Sequence, residues 1–287
     1  MGAVSLSSPS GEVAPAGGRR GGASSGVPTA TPPRPFGAPP RAGGEKRTAT
    51  IGVALACAII AAWSAIHVTG VFFWRWTPAT ALLAVPVVLL QTWLSVGLFI
   101  VNHDAIHGSL APGRPRVNRA FGWVVMTLYA GFHYDRLEAS HTAHHAAPGT
   151  ARDPDFSATH PDRFVAWFGQ FMRHHFGLRP FVFVNAVVAT YWLVLGADMA
   201  NIFVFYGLPA LASAVQLFYF GTWRPHRHLK EGHAADAFAD HHNARSDRMP
   251  RLLATLTCYN FGGYHHEHHL YPHEPWWRLP ARRSEAA

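Results

Sequence analysis

The sequence is organised around one stretch, Phe261-Gly262-Gly263-Tyr264-His265-His266-Glu267-His268-His269. Three of its histidines, His265, His268 and His269, form an H-x-x-H-H pattern. On a helix, residues three and four apart share a face, so these three imidazoles are expected to converge on one point. His266 points away from that face, and we expect it not to bind a metal. The stretch therefore predicts a metal-binding helix.

Two further histidine clusters repeat this chemistry. His141, His144 and His145 have the same H-x-x-H-H spacing, and His103 and His107 lie four residues apart. Imidazole is a ligand of zinc, copper, iron and nickel, and a closed zinc site takes only four ligands. The histidines of the three clusters are too many for one ion, so they predict two metal ions with coordination positions left open.

The sequence argues against other metal and thiol sites. The H-E-x-x-H pattern of zinc proteases is absent, because Leu270 stands where His266-Glu267 would require a histidine. Cys57 and Cys258 are the only cysteines, and they are too far apart in sequence for a C-x-x-C site. What remains is a di-iron oxygenase, in which two irons activate O₂ for attack on a C–H bond.

Lipid is the expected solvent for much of the surface. Only 14% of the residues are charged, against roughly 25% in soluble domains. The segment 120–132 is too short to cross a membrane and is expected to be re-entrant or interfacial, and 164–176 is expected to be an amphipathic surface helix. Two hairpins of apolar spans are predicted: 50–74 with 78–101, and 180–195 with 202–220.

Positive charge favours one orientation of these spans. Arg34, Arg41, Lys46 and Arg47 precede the first span, whereas the turn between the first two spans carries only Arg75. Because basic residues collect in cytoplasmic loops, both termini and every histidine cluster are predicted to be cytoplasmic. The basic residues behind the net charge of +8 flank the spans instead of forming one stripe, which argues against nucleic acid binding.

The expected fold is an all-α integral membrane protein. It has about four transmembrane helices in two hairpins, with a cytoplasmic helical cap that holds a His-rich di-iron site. Residues 1–48 are rich in Gly, Pro, Ala and Arg, and they are predicted to be a disordered basic tail because they cannot form a core. Residues 49–280 are the expected membrane oxygenase domain, and 281–287 the C-terminal tail.

Several long motifs carry a resemblance to known proteins. They are His103-Asp104-Ala105-Ile106-His107-Gly108, Ser140-His141-Thr142-Ala143-His144-His145 with Asp153-Pro154-Asp155, Phe220-Gly221-Thr222-Trp223-Arg224-Pro225-His226-Arg227, His242-Asn243-Ala244-Arg245-Ser246, and 261–278. With these motifs the chain resembles the membrane fatty acid desaturase and hydroxylase superfamily, and more narrowly the bacterial β-carotene ketolases of the carotenoid 4-oxygenase type. The resemblance covers about residues 50–280.

The resemblance implies a substrate and a reaction. The ionone ring of β-carotene would be hydroxylated twice at C4, and loss of water would leave a ketone. The products would be echinenone and canthaxanthin, or astaxanthin when the ring is already 3-hydroxylated. Two Fe²⁺ ions, O₂ and a ferredoxin-type electron donor are implied, in a bacterial inner membrane.

Other functions are open at this point. A carotenoid hydroxylase or a fatty acyl desaturase would use the same di-iron scaffold. A metal transporter is disfavoured, because transport needs ionisable or polar ligands near the bilayer midplane and the interiors of the spans nearly lack them.

The resemblance also implies a ninth ligand after the last hairpin, for which His226 is preferred over His228, His241 and His242. The expected metal ligands are therefore His103, His107, His141, His144, His145, His226, His265, His268 and His269. Six further side chains are expected near them: Asp104, Asp153, Asp155, His242, Asn243 and Glu267. Asp104 and Glu267 would orient imidazoles, and His242 and Asn243 would act directly on the ligands or through water. For Asp153 and Asp155, holding the loop or pairing with arginine is an open alternative.

Overall fold

The computed structural model describes residues 42–228 and 238–286, and every regular element within these two ranges is helical. Four π-helical turns, Thr69–Phe73, Thr190–Val194, Phe203–Gly207 and Tyr219–Trp223, directly follow α1, α6, α7 and α8. The helices are α1 (Ala42–Val68), α2 (Pro78–Ile106), α3 (Pro115–Ala130), α4 (Tyr134–Ala146), α5 (Phe164–His175), α6 (Leu178–Ala189), α7 (Met199–Ile202), α8 (Leu208–Phe218), α9 (Arg224–His226), α10 (Arg251–Cys258), α11 (His265–Leu270) and α12 (Leu279–Ala286).

Three continuous helices in the described ranges are long and apolar enough to cross a membrane: Gly44–Phe73, Pro78–Ile106 and Met199–His226. A fourth span exists only as a bent pair, in which α5 and the helix Leu178–Val194 meet at 83°. The predicted span 180–195 is therefore not an independent straight helix like the other three. The expectation of about four membrane helices holds in the coarser form of three or four.

Helix α2 is the central element, and it packs against α1, α3 and α8. Its start is fixed by Thr77, whose side chain accepts a hydrogen bond from the Thr80 amide, while Pro78 takes the first helical position. The first half of α2 exposes large apolar side chains such as Leu82, which is 78% exposed. The second half is buried and ends in His103 and Asp104. One helix thus runs from the lipid-facing surface into the histidine cluster.

A tight turn connects α3 to α4 and directs the chain back towards α2. Gly131 adopts a left-handed conformation, with φ of 69°, that ends α3. An added Cβ at Gly131 would also lie only 2.3 Å from the Phe183 ring. Glycine is therefore required here on two grounds, and α4 starts three residues later at Tyr134.

Both ends of the described chain are more helical than the sequence predicts. Helix α1 begins at Ala42, so residues 42–48 of the predicted tail are helical, and the rest of that tail lies outside the described residues. Helix α12 includes residues 281–286 of the expected C-terminal tail. The amphipathic helix expected at 164–176 is α5, which buries Trp167 and exposes Val165.

Candidate metal centre

Helices α2, α4, α9 and α11 bring nine imidazoles together in two adjacent groups. Within each group, the candidate ligand atoms lie within 4.8 Å of one another. The first group is His103, His107, His141, His145 and His268, and the second group is His144, His226, His265 and His269. These are the nine residues expected from the sequence, and their binding of a metal stays a prediction.

Helix geometry explains how the histidines divide between the groups. In α4, His141 and His145 contribute to the first group, whereas His144 contributes to the second. In α11 the division is reversed, because His265 and His269 join the second group and His268 joins the first. Residues four apart are offset by about 40° around a helix and residues three apart by about 60° the other way. The expectation that one H-x-x-H-H converges on one point is therefore wrong.

The spacing of the Nε2 atoms fits metal coordination. In the first group, Nε2 of His103 and Nε2 of His268 are 3.1 Å apart, and Nε2 of His107 and Nε2 of His141 are 2.8 Å apart. In the second group, Nε2 of His265 lies 2.8 Å from Nε2 of His226. Two nitrogens that bind one ion at about 2.1 Å and at right angles lie about 3.0 Å apart. Within each group, the nitrogens therefore have the spacing that ligands of one ion would need.

The two groups are in direct contact. The rings of His145 in the first group and His269 in the second stack with centroids 4.4 Å apart. The rings of His268 and His269, neighbours in the chain, are 5.5 Å apart. Ions held by the two groups would therefore be neighbours, which suits a reaction that uses both.

Two histidines of the second group are oriented by hydrogen bonds from their Nδ1 atoms. His144 Nδ1 lies 2.9 Å from Oδ2 of Asp153, which also accepts from the Gly149 amide. His226 Nδ1 lies 2.7 Å from the backbone carbonyl oxygen of Asn243. Because each acceptor fixes the proton on Nδ1, Nε2 is left with a free lone pair for a metal. Asp153 therefore both orients His144 and holds its own loop.

Burial keeps most of these imidazoles in the form that binds metals. Burial in the protein interior, together with the nearby His144, lowers the pKa of His141 to about 3. Burial likewise lowers the pKa of His145, and neighbouring histidines lower it further. For His144, burial lowers the pKa, but the hydrogen bond to Asp153 outweighs burial and the net shift is upward. Since metal ligation needs neutral imidazole, the site is preorganised for ions.

Two predicted orienting carboxylates have other partners. Glu267 accepts hydrogen bonds from the Ser246 hydroxyl and, at 2.7 Å, from the Arg283 guanidinium instead of from an imidazole. Oδ1 of Asp104 lies 3.6 Å from His103 Nδ1, which is beyond a good hydrogen bond. Asp104 Oδ2 instead accepts a hydrogen bond from the Trp276 amide at 3.3 Å. Both carboxylates therefore join chain segments around the site, and neither orients one of the nine imidazoles directly.

Asp155 and His242 also support the surroundings of the site. Asp155 Oδ1 is 2.7 Å from His175 Nε2, and this pairing outweighs burial and lowers the pKa of Asp155 to about 2. The Asp240 carboxylate joins His242 Nδ1 and His266 Nε2, each at 2.9 Å. His266 therefore lies outside both histidine groups, in a partly exposed pair with Asp240.

Several residues in contact with the site carry no signal in the sequence. His175 lies in an amphipathic helix, and nothing in its spacing points to Asp155. Asp240 precedes His242 by two residues, but its second contact, to His266, joins a loop to the distant helix α11. The backbone carbonyl of Asn243 is invisible to any argument from side chains. Such contacts depend on how loops pack, which local periodicity does not encode.

An apolar cavity of about 460 Å³ ends at the two histidine groups. Its lining includes His103 and His141 from the first group and His144 and His265 from the second. The rest of the lining is mostly aliphatic and aromatic side chains of α2, α3, α5, α6 and α8. Among the lining residues, Phe203 and Leu211 are 58% and 62% exposed. The cavity therefore opens on the apolar outer surface and suits a long hydrophobic molecule.

The chain is similar to known proteins over most of its length. The fatty acid desaturase family model matches residues 76–193 and 178–287. A β-carotene ketolase of Paracoccus sp. (strain N81106 / MBIC 01143) is 49% identical over 227 residues, which cover 79% of this chain and 90% of the relative. A β-carotene ketolase of Paracoccus sp. (strain PC1) is 47% identical over 237 residues, which cover 82% of this chain and 93% of the relative. A zeaxanthin 4-ketolase of Chlamydomonas reinhardtii is 37% identical over 244 residues, which cover 82% of this chain and 54% of the relative.

Proposed function

The chain belongs to the fatty acid desaturase family, and from this premise we propose that it is a membrane-bound β-carotene 4-ketolase. The resemblance to β-carotene ketolases noted in the sequence is confirmed, since two relatives with 47% and 49% identity over most of the chain are named β-carotene ketolase. The observation that carries the proposal is the apolar cavity, which is lined by imidazoles of both histidine groups.

The cavity and the spans suit a substrate that lives in lipid. The exposed mouth residues Phe203 and Leu211 belong to the membrane helix Met199–His226. A hydrocarbon of the β-carotene type would therefore enter sideways from the bilayer, without crossing water. Burial of its apolar surface along the walls would hold the ring end against the histidines.

The reaction balances as two hydroxylations of one carbon. In the first, the C4 methylene, O₂, two electrons and two protons give a C4 alcohol and water. The second consumes the same reagents and gives a geminal diol and a second water, and loss of water from the diol gives the ketone. The C4 methylene is allylic, so its C–H bond is weakened by the neighbouring double bond. Echinenone and canthaxanthin follow from one and two oxidised rings, and astaxanthin from rings that are already 3-hydroxylated.

Nine imidazoles would hold two Fe²⁺ ions, whose role when bound is to activate O₂ for attack on the C–H bond. Five nitrogens in the first group exceed the four of a closed zinc site, which favours iron over zinc. The chain's own residues position the reaction. Asp153 and the Asn243 carbonyl fix the Nε2 lone pairs of His144 and His226, and the apolar walls exclude water from the ring.

The electrons would come from a ferredoxin-type protein on the cytoplasmic side of a bacterial inner membrane. Exposed arginines of α5 and of the connection before it, Arg152, Arg163 and Arg173, would attract a negatively charged carrier. Arg114, which precedes α3, and Arg116 and Arg119 at the start of α3 follow the histidines at the end of α2. Because basic residues collect on the cytoplasmic side of membrane spans, these arginines support a cytoplasmic site and cytoplasmic termini.

Expression in a host that accumulates β-carotene tests the proposal. The expected result is a keto product, identified by its shifted absorbance and by the mass gain of one oxygen and loss of two hydrogens per ring. The variant His268→Ala should abolish the product, and its neighbour His266→Ala should retain it. A 3- or 4-hydroxy product alone would instead favour a carotenoid hydroxylase, and a new fatty acyl double bond would favour a desaturase.

A further inference from the structure

Two side chains that line the cavity have buried polar atoms with no hydrogen-bond partner among the described residues. Asn102 is 1% exposed, and neither its Oδ1 nor its Nδ2 has a partner among the described residues. The Ser140 hydroxyl is also buried and unpaired there. Both residues line the cavity. Because a buried polar group without a partner is unfavourable and uncommon, such a pair in a binding chamber points to a ligand.

Both side chains stand at the end of the cavity that carries the histidines. Asn102 precedes His103 in α2, and Ser140 precedes His141 in α4. The rings of His103 and His141 are only 4.6 Å apart, so the two polar residues flank adjacent ligands. Asn102 shares one helix face with Phe99 and Ile106, three and four residues away, and both of these line the same cavity.

The chemistry of the two groups selects a neutral ligand that both donates and accepts. The amide of Asn102 offers an acceptor oxygen and two N–H donors, and the Ser140 hydroxyl offers one of each kind. Asp155 and His175, which also line the cavity, already pair with each other. An unoxidised β-carotene ring carries no polar atom and would leave both groups unpaired.

We propose that Asn102 and Ser140 form a subsite for a hydroxyl group on the ring that is being oxidised. This inference rests on the proposed ketolase function. The hydroxyl has two sources: the C4 alcohol formed by the first hydroxylation, or a 3-hydroxyl that the ring carries before it enters. In the first case the subsite retains the alcohol for its second hydroxylation, so that the enzyme releases ketone. In the second case it selects hydroxylated rings.

Binding without turnover tests the subsite directly. Iron-loaded enzyme in lipid nanodiscs, kept free of O₂ and reductant, is titrated with β-carotene, 4-hydroxy-β-carotene and zeaxanthin, and tryptophan quenching reports binding. The variant Asn102→Leu keeps the size of the side chain but removes its polar atoms. The matched control Asn185→Leu makes the same change at an exposed position of α6.

We expect Asn102→Leu to weaken binding of at least one hydroxylated carotenoid by about tenfold, the effect of one lost hydrogen bond. Binding of β-carotene should change by less than about twofold. If the affinity falls only for 4-hydroxy-β-carotene, the subsite binds the reaction intermediate. If the affinity falls only for zeaxanthin, the subsite binds the 3-hydroxyl. Ser140→Ala, a smaller change, should shift the same ligands in the same direction.

Turnover gives an independent readout. Asn102→Leu should raise the ratio of released 4-hydroxy product to ketone if the intermediate is the ligand, while Asn185→Leu should leave that ratio unchanged. Equal weakening of all three ligands, or unchanged affinities in both Asn102→Leu and Ser140→Ala, would overturn the subsite. Failure of the wild type to make any ketone would instead overturn the proposed function.

Discussion

The two histidine groups are built in different ways. The first group takes one i, i+4 pair from the C-terminal end of α2, His103 with the capping residue His107, and one from α4, His141 with His145, and adds His268. The second group takes one such pair from the short helix α11, and its other two members are held by hydrogen bonds to loops. Helix geometry thus positions most of the first group, whereas loop contacts position half of the second. The second group should be more sensitive to substitutions outside its ligands.

Loss of one ligand should produce the largest effect, and it should be greater in the second group. His226→Ala leaves three imidazoles there, while His107→Ala leaves four in the first group. Each variant should lose ketolase activity by at least about 100-fold, since even outer-sphere substitutions at metal sites cost about 10–100-fold. Iron content, measured by mass spectrometry, should fall further in His226→Ala than in His107→Ala. His266→Ala is the control, and a similar iron loss in that variant would contradict the assignment.

The loop contact to His144 should produce the next effect. Asp153→Asn replaces the carboxylate that fixes the Nδ1 proton of His144 and also holds the Gly149 amide. Iron affinity or activity should fall by about 10–100-fold. Asp162→Asn, at an exposed position of the same connection, should leave both unchanged. Equal behaviour of the two variants would show that the second group is not supported by its loop.

A smaller effect is expected from the pair formed by Asp155 and His175. His175→Gln removes the ring that lies 2.7 Å from the Asp155 carboxylate at the cavity wall. Activity should fall by about tenfold or less, since this pair lies outside both histidine groups. The neighbouring His174 is exposed, so His174→Gln serves as the matched control. A deficit in iron content of His175→Gln as large as that of Asp153→Asn would place His175 closer to the ions than the structure does.

Glu267 should affect folding more than metal binding. Glu267→Gln weakens the buried contacts to Ser246 and Arg283, which should lower the free energy of unfolding by about 1–3 kcal/mol. Thermal unfolding of the iron-loaded protein measures this, and iron per chain should match the wild type. A loss of iron without a loss of stability would restore the original expectation that Glu267 orients an imidazole.

The comparison of the two groups also explains what the sequence can predict. The spacing of three and four residues predicts His141, His144 and His145 as ligands, and this prediction needs helix geometry alone. The division of these histidines between two groups does not follow from the spacing, because it depends on where α2 and α11 lie relative to α4. His226 lies outside any histidine pattern, and only the family resemblance points to it.

Fold prediction has the same limit. Apolar length identifies the spans of α1 and α2, since a helix in lipid must be long and apolar. The 83° bend between α5 and the helix Leu178–Val194 follows from packing between distant elements. Asn102 likewise has no signal in sequence, because an asparagine beside a histidine becomes unusual only when its burial is known. Periodic local features are predictable, and contacts across the chain are not.

A structure of the iron-loaded protein, with iron located by anomalous scattering, tests the central claim most directly. Two peaks are expected, one within bonding distance of Nε2 atoms of His103, His107, His141, His145 and His268, and one likewise placed among His144, His226, His265 and His269. A single peak, or a peak among Asp240, His242 and His266 in place of either group, would contradict the assignment of two adjacent ions to these nine imidazoles.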